Sequence, residues 1–373
     1  TYSISDRVWE RLSQQQQNIL VEAGRYAMQT YCDYVDNSEP EIIQTLEEEY
    51  GIAQVPLSDN DLEQAHANLE GVYDRWAGLA FPEGPIAMED GSILVVEIQR
   101  GRLTRVLPDG ELQTVAEVGG GPNGAALGPD GHCYICNNGG FSWRTDDGYS
   151  RPTGAASDYD GGSIQRVNLV TGSVETLYTH CQGVPLHGPN DIVFDDQGGF
   201  WFTDFGKKFD DRIMLGYLYY ARCDGSSIRR AAKHLLTPNG VGLSPDGRML
   251  YVSETETSRL WRYPITAPGE RGQEPWPSPN GGKLVHGLPG YQRLDSMALE
   301  ESGNICVATL VDGGISVFSP QGDLLEFHEA PEGYCTNICF GGSNLQTAYI
   351  TLSGYGQLLA VPWPRPGLRL NNQ

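Results

Sequence analysis

From Thr1 to Asp74, apolar side chains recur at three- and four-residue steps, as in Val8-Trp9-Glu10-Arg11-Leu12 and Ile19-Leu20-Val21-Glu22-Ala23, which is the period of a helix. Ser13 can cap a second helix, Glu41 to Tyr50 predicts a third, and Ser58-Asp59-Asn60-Asp61 caps a fourth that ends near Trp76. From about residue 78 the texture changes to short β-type runs broken by Gly, Pro, Asn and Asp. Aligned on their turns, these runs repeat. Pro82-Glu83-Gly84-Pro85, Pro122-Asn123-Gly124, Pro189-Asn190-Asp191, Pro238-Asn239-Gly240, Leu294-Asp295-Ser296 and Thr336-Asn337 each precede an apolar strand. A turn such as Pro129-Asp130-Gly131 or Pro245-Asp246-Gly247 follows, and then a second strand such as Cys133-Tyr134-Ile135-Cys136 or Leu250-Tyr251-Val252-Ser253. The markers Glu83, Asn123, Asn190, Asn239, Asp295 and Asn337 follow one another at the spacing of a propeller blade, lengthened where a blade carries an insertion. Six small antiparallel meanders of that size predict an all-β, six-bladed β-propeller over 75–373, with an α-helical extension at 1–74. The long steps hold insertions, Ser142 to Asp160 and Lys207 to Met214, which in propellers project from one face.

At 373 residues the chain has room for one large domain and an appendage. Its 25 basic and 48 acidic residues leave a net charge of −23, which repels phosphate backbones and anionic headgroups. Nucleic-acid and membrane partners are therefore disfavoured, and a cation is favoured. No apolar run reaches the ~18 residues of a membrane span. Of eight cysteines, Cys133 and Cys136 form a CxxC within a predicted strand, where residues three apart point to opposite faces. Buried free thiols are expected there instead of a redox pair or a zinc knuckle. Thr1 opens no signal-peptide pattern, so a cytoplasmic location is the expectation, with the periplasm as the alternative. The helical extension offers a surface for packing on the propeller or for a homo-oligomer.

In a propeller the innermost strand of each blade lines the central channel, so equivalent residues of successive blades converge on one ring. Glu83, Asn123, Asn190, Asn239, Asp295 and Asn337 would meet there as an all-oxygen set without thiolate or imidazole. Such a ring suits one divalent cation: Ca first, then Mg or Mn, with Zn tolerated. Pro-Asn-Gly is also a turn signal in its own right. What favours the ring is the recurrence of the marker before six inner strands, and that two of the six are carboxylates.

Phe81-Pro82-Glu83-Gly84-Pro85, His187-Gly188-Pro189-Asn190-Asp191-Ile192-Val193, Thr237-Pro238-Asn239-Gly240-Val241-Gly242-Leu243-Ser244-Pro245-Asp246-Gly247 and Asp295-Ser296-Met297-Ala298-Leu299 occur in order at fitting blade positions. These segments resemble the signatures of the regucalcin (senescence marker protein)/gluconolactonase family, over about 78–363. The resemblance implies a six-bladed propeller with one catalytic divalent cation and, usually, lactone hydrolysis. It places Glu83, Asn239 and Asp295 as metal ligands and Asn190 as a contact to metal or substrate. It also makes Asp295 the proposed base, or in phosphotriester-cleaving relatives the nucleophile. The usual Asp-Gly-Met reads Asp295-Ser296-Met297 here, which crowds the turn beside the ligand. Asn123 carries a full Pro-Asn-Gly that many members lack. The helical segment 1–74 resembles the C-terminal tail of TRAP-transporter solute-binding proteins.

Around the ring, Asn123, His187, Trp143, Tyr149, Lys207 and Tyr334, with Phe205, are candidates to touch substrate, aromatic rings supplying apolar area and Lys207 a partner for a carboxylate. Packing beneath the long insertion is the rival reading for the aromatics and for Lys207. The other histidines beyond residue 100 lack HxH or HxxxH spacing, and Gly119-Gly120-Gly121-Pro122-Asn123 lacks the lysine of a phosphate loop. Three functions remain: a metal-dependent hydrolase opening a lactone of a sugar acid or related small cyclic ester, a phosphotriesterase- or aryl-esterase-like hydrolase at the same site, and a non-catalytic calcium-binding propeller.

Overall fold

The computed structural model describes residues 74–372, and all of these that are regular are β-strand or turn. The helices expected before residue 74 lie outside the described residues. Six sheets, each an antiparallel meander, follow one another along the chain. Their innermost strands are Pro82–Ala87, Pro122–Leu127, Pro189–Phe194, Pro238–Leu243, Arg293–Leu299 and Cys335–Gly341, and each packs against the next until the sixth returns to the first. This is the six-bladed propeller that the repeat predicts.

Burial falls from the channel outward. Pro82–Ala87 and Ile93–Glu97 of the first blade are buried throughout, whereas its outer strand Leu112–Glu117 is largely exposed. A strand covered on both faces reads as a continuous apolar run, and a rim strand does not. Six apolar clusters hold the ring together, one in each gap between neighbouring blades. Between the second and third blades, Tyr134, Phe194, Phe200, Phe202 and Tyr219 interlock, with Phe202 and Tyr219 stacked at 5.0 Å. Each such ring contributes roughly 1.5–3 kcal/mol by leaving water. Cys133 faces the gap to the first blade and Cys136 the gap to the third, so the CxxC points both ways from one strand, and both thiols are free.

Closure corrects one expectation. Instead of ending a helix near Trp76, Asp74–Trp76 is a strand paired antiparallel with Gln357–Pro362, Trp76 opposite Leu358. It supplies the fourth strand of the last blade, whose other three are Cys335–Gly341, Thr347–Leu352 and Gln357–Pro362. An open sheet edge beside it, with unpaired N–H and C=O groups, outweighs the local helical period. Trp76 lies 6.4 Å from Tyr349 and joins the cluster between the last blade and the first.

Strand direction alternates within a blade, so the start of each innermost strand, the second-to-third connections and the links between blades share one face. Both insertions are second-to-third connections and therefore stand on that face. The long one forms a hairpin, Phe141–Asp146 with Tyr149–Ala155, and the short one pairs Lys207–Lys208 with Ile213–Met214. On the opposite face residues 368–372 run along the channel. Asn371 Nδ2 donates to Phe194 O at 2.8 Å and Asn372 Nδ2 to Leu127 O at 3.1 Å, lining a channel cavity of about 260 Å³.

Candidate metal centre

All six innermost strands break register at the marker. The slips fall between Glu83 and Ile86, Pro122 and Ala125, Pro189 and Ile192, Pro238 and Val241, Leu294 and Met297, and Cys335 and Asn337. A bulge re-aims the side chain it carries, and bulges cluster beside functional sites. Here the same defect occurs six times around one axis, and every marker is buried, at 3–8% exposure. Glycine after the marker permits the approach. A Cβ on Gly84, which holds φ +52°, would stand 2.8 Å from Asn123 O, and one on Gly240 would stand 2.8 Å from Asp295 O.

Contacts within the ring tie the markers to one another. Asn337 Nδ2 donates to Glu83 Oε2 at 2.8 Å, and the Gly84 N–H donates to the same oxygen at 2.9 Å. Ser296 Oγ donates to Asn239 Oδ1 at 3.2 Å, while Asn239 Nδ2 donates to Thr255 Oγ1 at 3.1 Å. The serine that departs from Asp-Gly-Met thus links the fourth and fifth blades. Asn190 Oδ1 is buried and has no hydrogen-bond partner.

A third carboxyl, Asp191, joins Glu83 and Asp295. Its Oδ1 accepts the Ile192 N–H at 2.9 Å and its Oδ2 the Val241 N–H at 3.3 Å. Sequence reasoning took Asp191 for part of a turn. The available signal was that an acid stands where three other units carry glycine. Burial raises Glu83 to about 7 and Asp191 to about 7, the latter also through the charge of Glu83. Burial and the charge of Glu83 hold Asp295 well above the ordinary aspartate value. Three acids that disfavour one another's ionisation, with an amide oxygen left orphaned, form a site whose electrostatics ask for a cation.

The residues fit a hard divalent ion. Glu83, Asn190, Asn239 and Asp295 offer carboxylate and amide oxygens only, which suits calcium, then magnesium or manganese, better than zinc. Among the described residues no three His, Cys, Asp or Glu side chains are grouped to hold a metal by themselves.

The remaining candidates occupy the marker face in different ways. Asn123 is buried at its ring position. His187 is half-buried. Its N–H donates to Asp204 Oδ2 at 2.8 Å, and its Nδ1 is buried without a partner. Phe205 N–H donates to Gly188 O at 2.8 Å, which holds the loop after its strand to the neighbouring link. Trp143 packs on Phe81 at 4.9 Å, Tyr334 on Phe81 at 5.7 Å, and Tyr149 on Tyr334 at 5.7 Å, which makes one aromatic chain beside Glu83. Lys207 is placed differently from the expectation of a partner for a carboxylate. It is fully buried, and its Nζ donates to Asn138 O at 2.7 Å and Gly140 O at 2.6 Å beneath the Phe141 ring. Burial lowers its pKa to about 7, opposed by Asp204, and the carbonyls and ring face favour the ammonium further. Lys207 ties the neck of the long hairpin to the third blade.

Residues 81–354 match the SMP-30/gluconolactonase/LRE-like region family. The chain belongs to this family. Its curated relatives include the lactonase drp35 of Staphylococcus aureus, 27% identical over 236 residues that cover 62% of this chain and 64% of that protein. The lactonase drp35 of Staphylococcus saprophyticus is 26% identical over 296 residues, 77% of this chain and 81% of that one. The match to the first of these relatives thus spans just under two thirds of that protein's length. Among solved structures, a gluconolactonase from Xanthomonas campestris superposes with a TM-score of 0.61 at 22% identity, covering 78% of this chain and 88% of that one. Regucalcin from Agrobacterium tumefaciens, a calcium-binding protein, gives 0.60 at 16% identity, covering 78% and 95%. At such identities the likeness speaks for the shared propeller fold. Residues 1–78 match a bacterial extracellular solute-binding protein family, family 7, in keeping with the resemblance of that segment.

Proposed function

We propose that this family member is a divalent-cation-dependent lactonase that opens a small cyclic ester. The observation that carries the reading is the orphaned Asn190 Oδ1 in one buried ring with Glu83, Asn239 and Asp295. The names of its relatives, lactonase and gluconolactonase, support the reaction class.

Glu83, Asn190, Asn239 and Asp295 would hold the ion, with Ca the first choice. When bound, such an ion polarises the ester carbonyl and favours ionisation of a nearby water. The chain's own work is done by Asp295. Held by the Asn239 amide and the Ser296 N–H, it takes the proton of the attacking water. As the ring C–O bond breaks, the same carboxyl returns that proton to the departing alkoxide, giving a hydroxy acid. Asn239 and Ser296, joined at 3.2 Å, fix the orientation of the base. Asn123 and His187, on the same face, would contact substrate.

The test is proton release in a pH-stat on γ- and δ-lactones after chelation and on restoring Ca, Mg, Mn or Zn. Hydrolysis that disappears with chelator, returns with one ion and is lost in Asp295→Asn is the expected result. Metal binding without turnover on any lactone or ester would turn the assignment to a calcium-binding propeller.

A further inference from the structure

On the marker face the long hairpin spans from one blade to another. It leaves the second blade and reaches the sixth, where Ser150 N–H donates to Gly354 O at 2.8 Å. Tyr149 lies against Gly354 so closely that a Cβ there would be 2.2 Å from its ring, and it packs on Tyr355 at 4.8 Å. On its other side the hairpin neighbours the third blade, where Lys207 holds its neck and Gly154 faces Lys208 O. Residues alternate along the first hairpin strand. Phe141 and Trp143 are partly covered, and Ser142 and Arg144 are exposed. Trp143 therefore meets Phe81, two residues from Glu83, and Phe81 in turn meets Tyr334. Phe81 is held at φ +55°, a left-handed conformation that a bulky residue keeps only where its surroundings enforce it.

At this roof Arg144, Arg151, Arg293 and Lys208 each have an acid partner, two to each acid. Arg151 pairs with Asp146 at 3.0 Å, Arg144 with the same acid at 2.8 Å, and Arg293 and Lys208 with Glu256 at 3.4 and 3.8 Å. The ammonium of Lys207 is committed to carbonyl oxygens. Trp143 and Tyr334 are partly exposed and pack on buried Phe81, and the hairpin arginines Arg144 and Arg151 are engaged with Asp146.

We propose that the hairpin Phe141–Ala155 is the substrate-selecting roof of the site, and that Trp143, with Phe81 and Tyr334, selects uncharged lactones carrying an apolar substituent over polyhydroxylated ones. The proposal rests on the lactonase reading. A hydroxylated ring would exchange water for aromatic faces without recovering its hydrogen bonds, whereas an alkyl or phenyl substituent gains by the same exchange.

The test uses the full chain, loaded with the ion that restores activity. kcat/KM is measured on two δ-lactones of similar size, one bearing three hydroxyls and one bearing only an alkyl or phenyl group. The wild type is expected to favour the apolar lactone at least ~10-fold, and Trp143→Ala to remove most of that preference. Trp143→Phe retains the preference. Gly354→Val, which unseats Tyr149 without touching Trp143, shifts it in the same direction as Trp143→Ala. A wild-type preference for the hydroxylated lactone, or an equal loss on both substrates, overturns the proposal. Titration with the matching apolar lactam, which is not hydrolysed, separates it from the lactonase reading. Trp143-dependent lactam binding supports the roof even if no lactone is turned over, and binding indifferent to Trp143 refutes it.

Discussion

Glu83→Gln is the perturbation that tests the electrostatics of the ring most directly. Burial lifts the Glu83 pKa from its ordinary 4.5 to about 7 in the folded, metal-free protein. Below pH 4.5 the group is protonated folded or unfolded, and it exerts no pH-dependent effect. Between 4.5 and 7 the folded state holds more protons, so metal-free stability falls as the pH rises, and the loss is complete above 7. A shift of that size corresponds to ~3 kcal/mol at ~1.4 kcal/mol per unit. Glutamine removes the charge and keeps an oxygen for the Gly84 N–H and Asn337 Nδ2, although its own NH₂ needs a new acceptor, so a net gain of ~2 kcal/mol is expected at pH 8. Urea unfolding in chelator at pH 5 and pH 8, for both proteins, measures it. The variant should match the wild type at pH 5 and exceed it at pH 8, and calcium should stabilise the wild type far more than the variant. A variant no more stable than the wild type at pH 8, or one that gains equally from calcium, would refute the reasoning.

Other predictions follow from other parts of the molecule. Asp295→Asn should lower kcat on a lactone by roughly 10²–10⁴, the range for loss of a general base, with the circular dichroism of the propeller retained. Arg365 bonds buried Glu300 at 2.7 Å and grips Glu326 through two bonds of 2.7 and 2.9 Å, which pulls Glu326 down to about 2. Arg365→Ala leaves the Glu300 carboxylate only neutral donors, Trp363, Asn304 and Ser302, and a loss of ~2 kcal/mol in urea unfolding at pH 7 is expected after allowance for the exposure of the Glu326 end. Because the folded pKa of Glu326 lies below its unfolded value, this stabilisation is full above pH 4.5 and fades as the pH falls through about 2, so the difference between wild type and Arg365→Ala should shrink in acid. Trp76→Ala should loosen the closing strand, read as faster amide exchange in Gln357–Pro362 than in the innermost strands.

The repeat of turn, apolar strand, turn and strand was legible from residue 78 onward because a blade is a local object. Its strands are neighbours in sequence, and alternation and turn chemistry act over a few residues. Most of the candidate ring was legible for the same reason, since Glu83, Asn190, Asn239 and Asp295 recur at one place in the repeat and symmetry converts that recurrence into convergence. Tertiary structure decided what depends on groups far apart in the chain. Asp74–Trp76 is a strand because the edge of Gln357–Pro362, at the far end of the propeller sequence, lacks a partner. Six bulges, invisible as a periodicity, turn the markers into the channel. Asp191 belongs to the site because burial places it beside Glu83 and Asp295, and Lys207 belongs to the scaffold because the carbonyls of Asn138 and Gly140 reach it first. Residue type and spacing determine the chemistry on offer. Which of those groups share a desolvated space is set by packing between blades, and that burial is what raises the Glu83, Asp191 and Asp295 carboxyls above their ordinary values.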